Sequence, residues 1–148
     1  MNNFILMMSN LHSARDSAII PEGSKVSLMM HSLGNFFLFR YINQHSHECN
    51  SVVFDNIIIN SAAVSTKGHA SVLDKLAIQE RIYVISNKND RTLIGAQLIS
   101  LSKMLGINPR PVLSQKAIYL DFTPYVDKEH TFFIGLTEAE KKVCSLST

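Results

Sequence analysis

Three residue types that together make a hydroxyl nucleophilic occur in this chain in a usable order: Ser32, Asp90 and His130. A serine hydroxyl is a poor nucleophile near neutral pH. It needs an imidazole to take its proton, and the imidazole needs a carboxylate to fix its tautomer and stabilise the imidazolium. Ser32 lies in Met30-His31-Ser32-Leu33-Gly34, where an apolar run gives way to a helical pattern. On a sharp strand-to-helix turn a serine is pushed out over the carboxyl end of the sheet, and the N–H of the next residue, here Leu33, is directed at the same space as an oxyanion donor. The backbone folds tightly around such a serine and is strained for anything but glycine, so small neighbours are favoured. Gly34 meets that need, His31 shapes the elbow beside it, and Met30 departs from the small residue usual at its position. As a bare string His-Ser-x-Gly arises often by chance. A Ser32 that merely caps the following helix is the plain alternative.

Asp90 follows a strand-like run and lies on the loop at its carboxyl end, and His130 lies in the loop after the next strand-like run. In a parallel sheet such loops converge on one rim, where ligands bind in open α/β folds. Asp90 also stands where an N-cap is expected, and His130 reads equally as a solvated loop histidine. What joins them is order: serine, acid and histidine each come after a separate strand. Asp121 is a substitute acid in a less suitable place. His12, His45, His47 and His69 lie on a helix face or in loops away from any strand's carboxyl end. No Gly-rich phosphate loop or metal-ligand cluster is visible, so neither cofactor nor metal is expected.

The elements that must position these residues alternate. A helix with apolar residues at Phe4, Met7, Met8 and Leu11 comes first, then a turn at Pro21 to Ser24 and a strand over Lys25 to Met30 that reads as buried on both faces. Residues Gly34 to Gln44 are apolar almost all round, as in a helix buried against a sheet. Strands follow at Asn56 to Asn60, Arg81 to Ser86 and Lys116 to Asp121, with helices at Ser71 to Gln79 and Arg91 to Leu105, the latter closed by Gly106 as its C-cap. Strands alternating with helices describe βαβ units with right-handed crossovers. The expected architecture is a single α/β domain over residues 1–148, with about four parallel strands and helices on both faces.

Composition narrows the function classes. The hydrophobic content of 46% supports a packed core. Net charge is only +2 with the basic residues scattered, which excludes the basic stripe of a nucleic-acid binder. No run is long enough to span a bilayer, and Phe4 to Met8 is too short for a signal-peptide core. Cys49 and Cys144 have no close Cys or His companions, so a reduced, cytoplasmic setting is the default.

The chain resembles the α/β-hydrolase superfamily, in particular a bacterial branch of unassigned function with a His-Ser-x-Gly elbow. Besides the elbow, the resemblance is carried by the segment Phe54 to Ala63, by Arg81 to Asp90 with Leu93, and by Glu129 to Phe133. It covers roughly residues 1 to 135. It implies Ser32 as nucleophile, Asp90 as acid, His130 as base, and hydrolysis of a small-molecule acyl ester. A complete member has several strands before the elbow strand, and the loop after one of them donates the second oxyanion N–H. Nothing in Met1 to Pro21 resembles that loop, so a C-terminal part of the fold is expected, with half an oxyanion hole. Losing one donor typically costs about 100- to 1000-fold in turnover. A catalytically silent hydrolase-fold binding module, or a truncated gene fragment, is the alternative. An elbow strand without its outer neighbour is expected to self-associate.

Overall fold

The computed structural model describes residues 2–17, 19–45, 54–77 and 79–133. In chain order the elements are α1 (Asn2–Asp16), β1 (Ser27–His31), α2 (Gly34–His45), β2 (Phe54–Asn60), α3 (His69–Asp74), β3 (Gln79–Ser86), α4 (Arg91–Ser100) and β4 (Ala117–Asp121). The strands form one sheet in the order β1-β2-β3-β4, and every pair is parallel. This is the α/β class expected from the alternating pattern. None of the described helices is long and apolar enough to cross a membrane.

Register explains where the core sits. Ile57 pairs with Leu28 and Ile82, and Ile59 with Met30 and Val84; Ala117 and Tyr119 continue the two rows on β4. Alternation along a strand puts these side chains on one face, where they join Met8 of α1, Leu38 and Ile42 of α2, and Leu73 of α3 in a single cluster. Cover is unequal between the faces. Met29 and Ile118, on the other side, are 41% and 47% exposed, and Ile58, Tyr83 and Ile85 are half-buried. Helices were expected on both faces. In a sheet whose strands follow one another in spatial order, right-handed crossovers all fall on the same face, which is where α2 and α3 pack.

Several local expectations are revised. β1 is not buried on both faces: among the described residues it pairs with β2 alone, and Ser27 and Met29 are exposed while Leu28, Met30 and His31 are half-buried. α2 is one-sided, with Leu38, Phe39, Tyr41 and Ile42 buried while Phe36 and Phe37 are 46% and 42% exposed. α3 begins earlier than its apolar pattern suggested, after Gly68 at φ 80°, and stops at Asp74. α4 ends at Ser100 with Leu101 left-handed at φ 51°. Gly106 is therefore no C-cap. Its N–H donates to the Ala62 carbonyl at 3.0 Å and its carbonyl accepts from the Asn87 N–H at 2.8 Å. A Cβ there would lie 2.6 Å from Leu93 Cδ1 and closer still to Ala62 N and Ser61 C. Close backbone approach, tying the end of β2 to the end of β3, is what requires glycine.

Candidate functional site

Because all four strands run the same way, the chain leaves each of them at one rim. Ser32 follows β1, Ser61 follows β2, Asp90 lies four residues past β3, and His130 stands on the segment beyond β4.

The Ser32 backbone is left-handed, at φ 51°, a conformation that non-glycine residues hold only where the surroundings impose it. Here hydrogen bonds impose it. The Ser32 N–H donates to the Asn60 carbonyl at 3.1 Å, and the Ser32 carbonyl accepts from the N–H groups of Asn35 and Ala63, both at 3.2 Å. Asn35 is fully buried, and its Nδ2 lies 3.1 Å from the carbonyls of Met30 and Ser32 and 3.2 Å from that of Asn60. One amide thus staples β1, the turn and β2. Met30 is accommodated because its side chain packs against the core cluster, and a Cβ on Gly34 would meet it only at 3.7 Å. The Ser32 hydroxyl makes no hydrogen bond among the described residues, so it does not cap α2, nor is it bonded to His130. The N–H of Leu33, a residue 63% exposed, likewise has no acceptor among the described residues.

Asp90 is completely buried and divides its two oxygens. Oδ1 accepts the Leu93 N–H at 3.0 Å, making Asp90 the N-cap of α4, and Oδ2 accepts from His130 Nδ1 at 2.7 Å. A histidine that donates from Nδ1 keeps the Nε2 lone pair for another proton. The His130 side chain is 14% exposed. Its loop is tied down by Asn87, whose buried Nδ2 donates to the Asp127 carbonyl at 2.8 Å, by the Arg91 N–H on the Lys128 carbonyl at 3.4 Å, and by the Ser61 hydroxyl on the His130 carbonyl at 3.4 Å.

His31 packs its ring against that of His130, with centroids 4.6 Å apart, and edge-on to Phe133 at 4.8 Å. Its Nδ1 lies 3.3 Å from Asn60 Nδ2. Burial pushes the His31 pKa down; His130 adds to the effect and Asp90 opposes it. Asp121 is engaged elsewhere: Lys88 Nζ sits 2.6 Å from its Oδ2, and the Lys88 and Thr123 hydrogen bonds hold its carboxyl down to about 2. His69 is buried, with Nδ1 2.7 Å from the Thr66 carbonyl and Nε2 2.9 Å from the Tyr119 hydroxyl. His45 stacks on Tyr41. His47, Cys49 and Cys144 lie outside the described residues. Among the described residues no group of three or more His, Cys, Asp or Glu could hold a metal ion.

Sequence reasoning missed Asn35, Asn60 and Gly106. The available signal was an asparagine in the first turn of a helix, directly before the apolar run Phe36 to Phe39, and another closing the β-branched run Ile57 to Ile59. Scans against family models, curated proteins and solved structures find no match to this chain.

Proposed function

We propose that this chain is a serine hydrolase of the α/β-hydrolase type, acting on a small-molecule acyl ester. The observation that carries the reading is the contact of His130 Nδ1 with a completely buried Asp90 carboxylate at 2.7 Å, on the rim that also holds the strained Ser32 turn. In this reading His130 Nε2 removes the Ser32 hydroxyl proton as Oγ attacks the ester carbonyl, Asp90 stabilises the imidazolium, and the Leu33 N–H binds the developing oxyanion. His130 then returns the proton to the leaving alcohol. Water repeats the sequence on the acyl-serine, releasing the acid and regenerating the hydroxyl.

The test is covalent labelling by a fluorophosphonate, comparing the chain with its Ser32→Ala and His130→Ala variants. Labelling that disappears in both supports the assignment, and labelling that persists in Ser32→Ala overturns it. A second reading, a catalytically silent binding module, is favoured by one observation: the Ser32 hydroxyl is not hydrogen-bonded to His130. No labelling of the unmodified chain selects that reading.

We also propose self-association through β1, whose outer edge has no partner strand among the described residues and whose span Ser27–His31 carries neither proline nor carboxylate to protect it. Sedimentation should show dimers or larger species, and Met29→Lys should shift them toward monomer. A stable monomer at micromolar concentration refutes this.

A further inference from the structure

Beside the elbow lies a cleft of about 560 Å³ between α2 and the segment that links β2 to α3. Its size falls in the range of small-molecule sites. The near end touches the elbow: Ala63, which lines the cleft, donates its N–H to the Ser32 carbonyl at 3.2 Å, and Phe36 lines it one turn further into α2. Phe39, Val64, Val72 and Met104 continue an apolar wall. Two cations, Arg40 and Lys67, stand on the same lining, and no described lining residue is a carboxylate. Both are exposed, and neither forms an ion pair among the described residues. Arg40 is six residues past Gly34, roughly 9 Å along the α2 axis.

We infer that this cleft binds an amphipathic anion: an acyl chain that lies over Phe36, Phe39, Val64 and Met104 and presents a carboxylate to Arg40 and Lys67. Charge complementarity selects the head group, and the apolar wall selects the body. Arg40 lies on the order of 10 Å from the elbow along α2, so the substrate, in the hydrolase reading, is an ester whose acyl chain carries its anionic group at the end remote from the reacting carbonyl. That identification as substrate rests on the proposed hydrolase function; binding in the cleft does not.

The experiment uses the full chain carrying Ser32→Ala, so that no turnover intervenes. Decanoate, decanol and decyltrimethylammonium are titrated separately, and amide shifts are followed by NMR. Decanoate is expected to bind about tenfold or more tighter than the other two, the scale of a charge-assisted hydrogen bond, with the largest shifts at Phe36, Ala63, Val64 and Met104. Adding Arg40→Gln and Lys67→Gln, both exposed positions, should abolish that preference and leave decanol binding unchanged. Equal affinity for the three ligands, shifts located away from the cleft, or a preference that survives the double change would overturn the inference. Selective decanoate binding in a chain that takes no fluorophosphonate label would retain the cleft and refute only the hydrolase reading.

Discussion

Replacing Asp90 three ways separates its two oxygens. Asparagine can still accept the Leu93 N–H that now lies 3.0 Å from Oδ1, so the α4 cap survives. The group facing His130 Nδ1 becomes an NH2, which cannot accept a hydrogen bond. His130 must then turn Nδ1 into the acceptor and carry its proton on Nε2, the atom the mechanism needs bare. Serine caps a helix well but is too short to reach His130. Alanine loses both contacts. On stability alone, losing the cap costs about 1 kcal/mol, and leaving the largely buried His130 Nδ1–H without an acceptor costs about 1–3 kcal/mol. Asp90→Asn should therefore stay within about 1 kcal/mol of the parent, Asp90→Ser should lose about 1–3 kcal/mol, and Asp90→Ala should lose most, since it adds the cap term.

Labelling should follow a different order. The asparagine variant, folded and capped, should react with a fluorophosphonate about 10⁴-fold more slowly, the size of the tautomer penalty in a serine-protease triad. Urea midpoints and pseudo-first-order labelling rates on the same preparations give both quantities. If Asp90→Asn labels within about tenfold of the parent while keeping its stability, Asp90 is a helix cap and nothing more, and the catalytic reading of the 2.7 Å contact fails.

Gly106→Ala should destabilise the chain by at least about 2 kcal/mol, because its Cβ would meet backbone at Ser61 and Ala62 that cannot swing aside; an unchanged urea midpoint would refute the close-approach account. His31 has its folded pKa pushed below the ordinary 6.5, so the unfolded chain takes up its proton more readily and stability falls as pH drops below about 6.5. His31→Gln should flatten that part of the stability–pH curve, and parallel curves would exclude it. Asp121 behaves oppositely, with a folded pKa lowered from 3.8 to about 2: its contribution is present above 3.8 and is lost as pH falls through 2. The carboxylate is nearly half exposed, so solvent screening limits the effect, and Asp121→Asn should cost about 0.5 kcal/mol at pH 7 and nothing at pH 2. A cost that persists at pH 2, or that 1 M salt leaves untouched, would contradict the ion-pair explanation.

What was legible in the sequence follows from which signals are local. Ile57 to Ile59 declare a strand because few other conformations suit three β-branched residues bounded by asparagines, and the alternation of such runs with helical patterns fixes a parallel sheet. That Ser32, Asp90 and His130 each come after a different strand is also readable, since a parallel sheet brings those positions to one rim. The remainder depends on pairs of residues far apart in sequence. Nothing near Gly106 says that Ala62 will lie against it, so a glycine six residues beyond the end of α4 reads as a cap. Nothing near Asn35 says that the Asn60 carbonyl will come within 3.2 Å of its side chain, so the residue that staples the elbow reads as noise in an apolar helix. β1 reads as buried because a run of apolar letters carries no count of its neighbouring strands.

Asp90 shows the same limit in another form. Cap and triad partner read as rival interpretations of one letter, yet a carboxylate has two oxygens, and here each has its own donor, Leu93 N–H and His130 Nδ1. The cap bond fixes the rotation of the carboxylate, which aims the second oxygen, and the start of α4 thereby sets the orientation of His130. The cap made by one oxygen of Asp90 thus sets the geometry of the contact with His130 on which the proposed catalytic role depends.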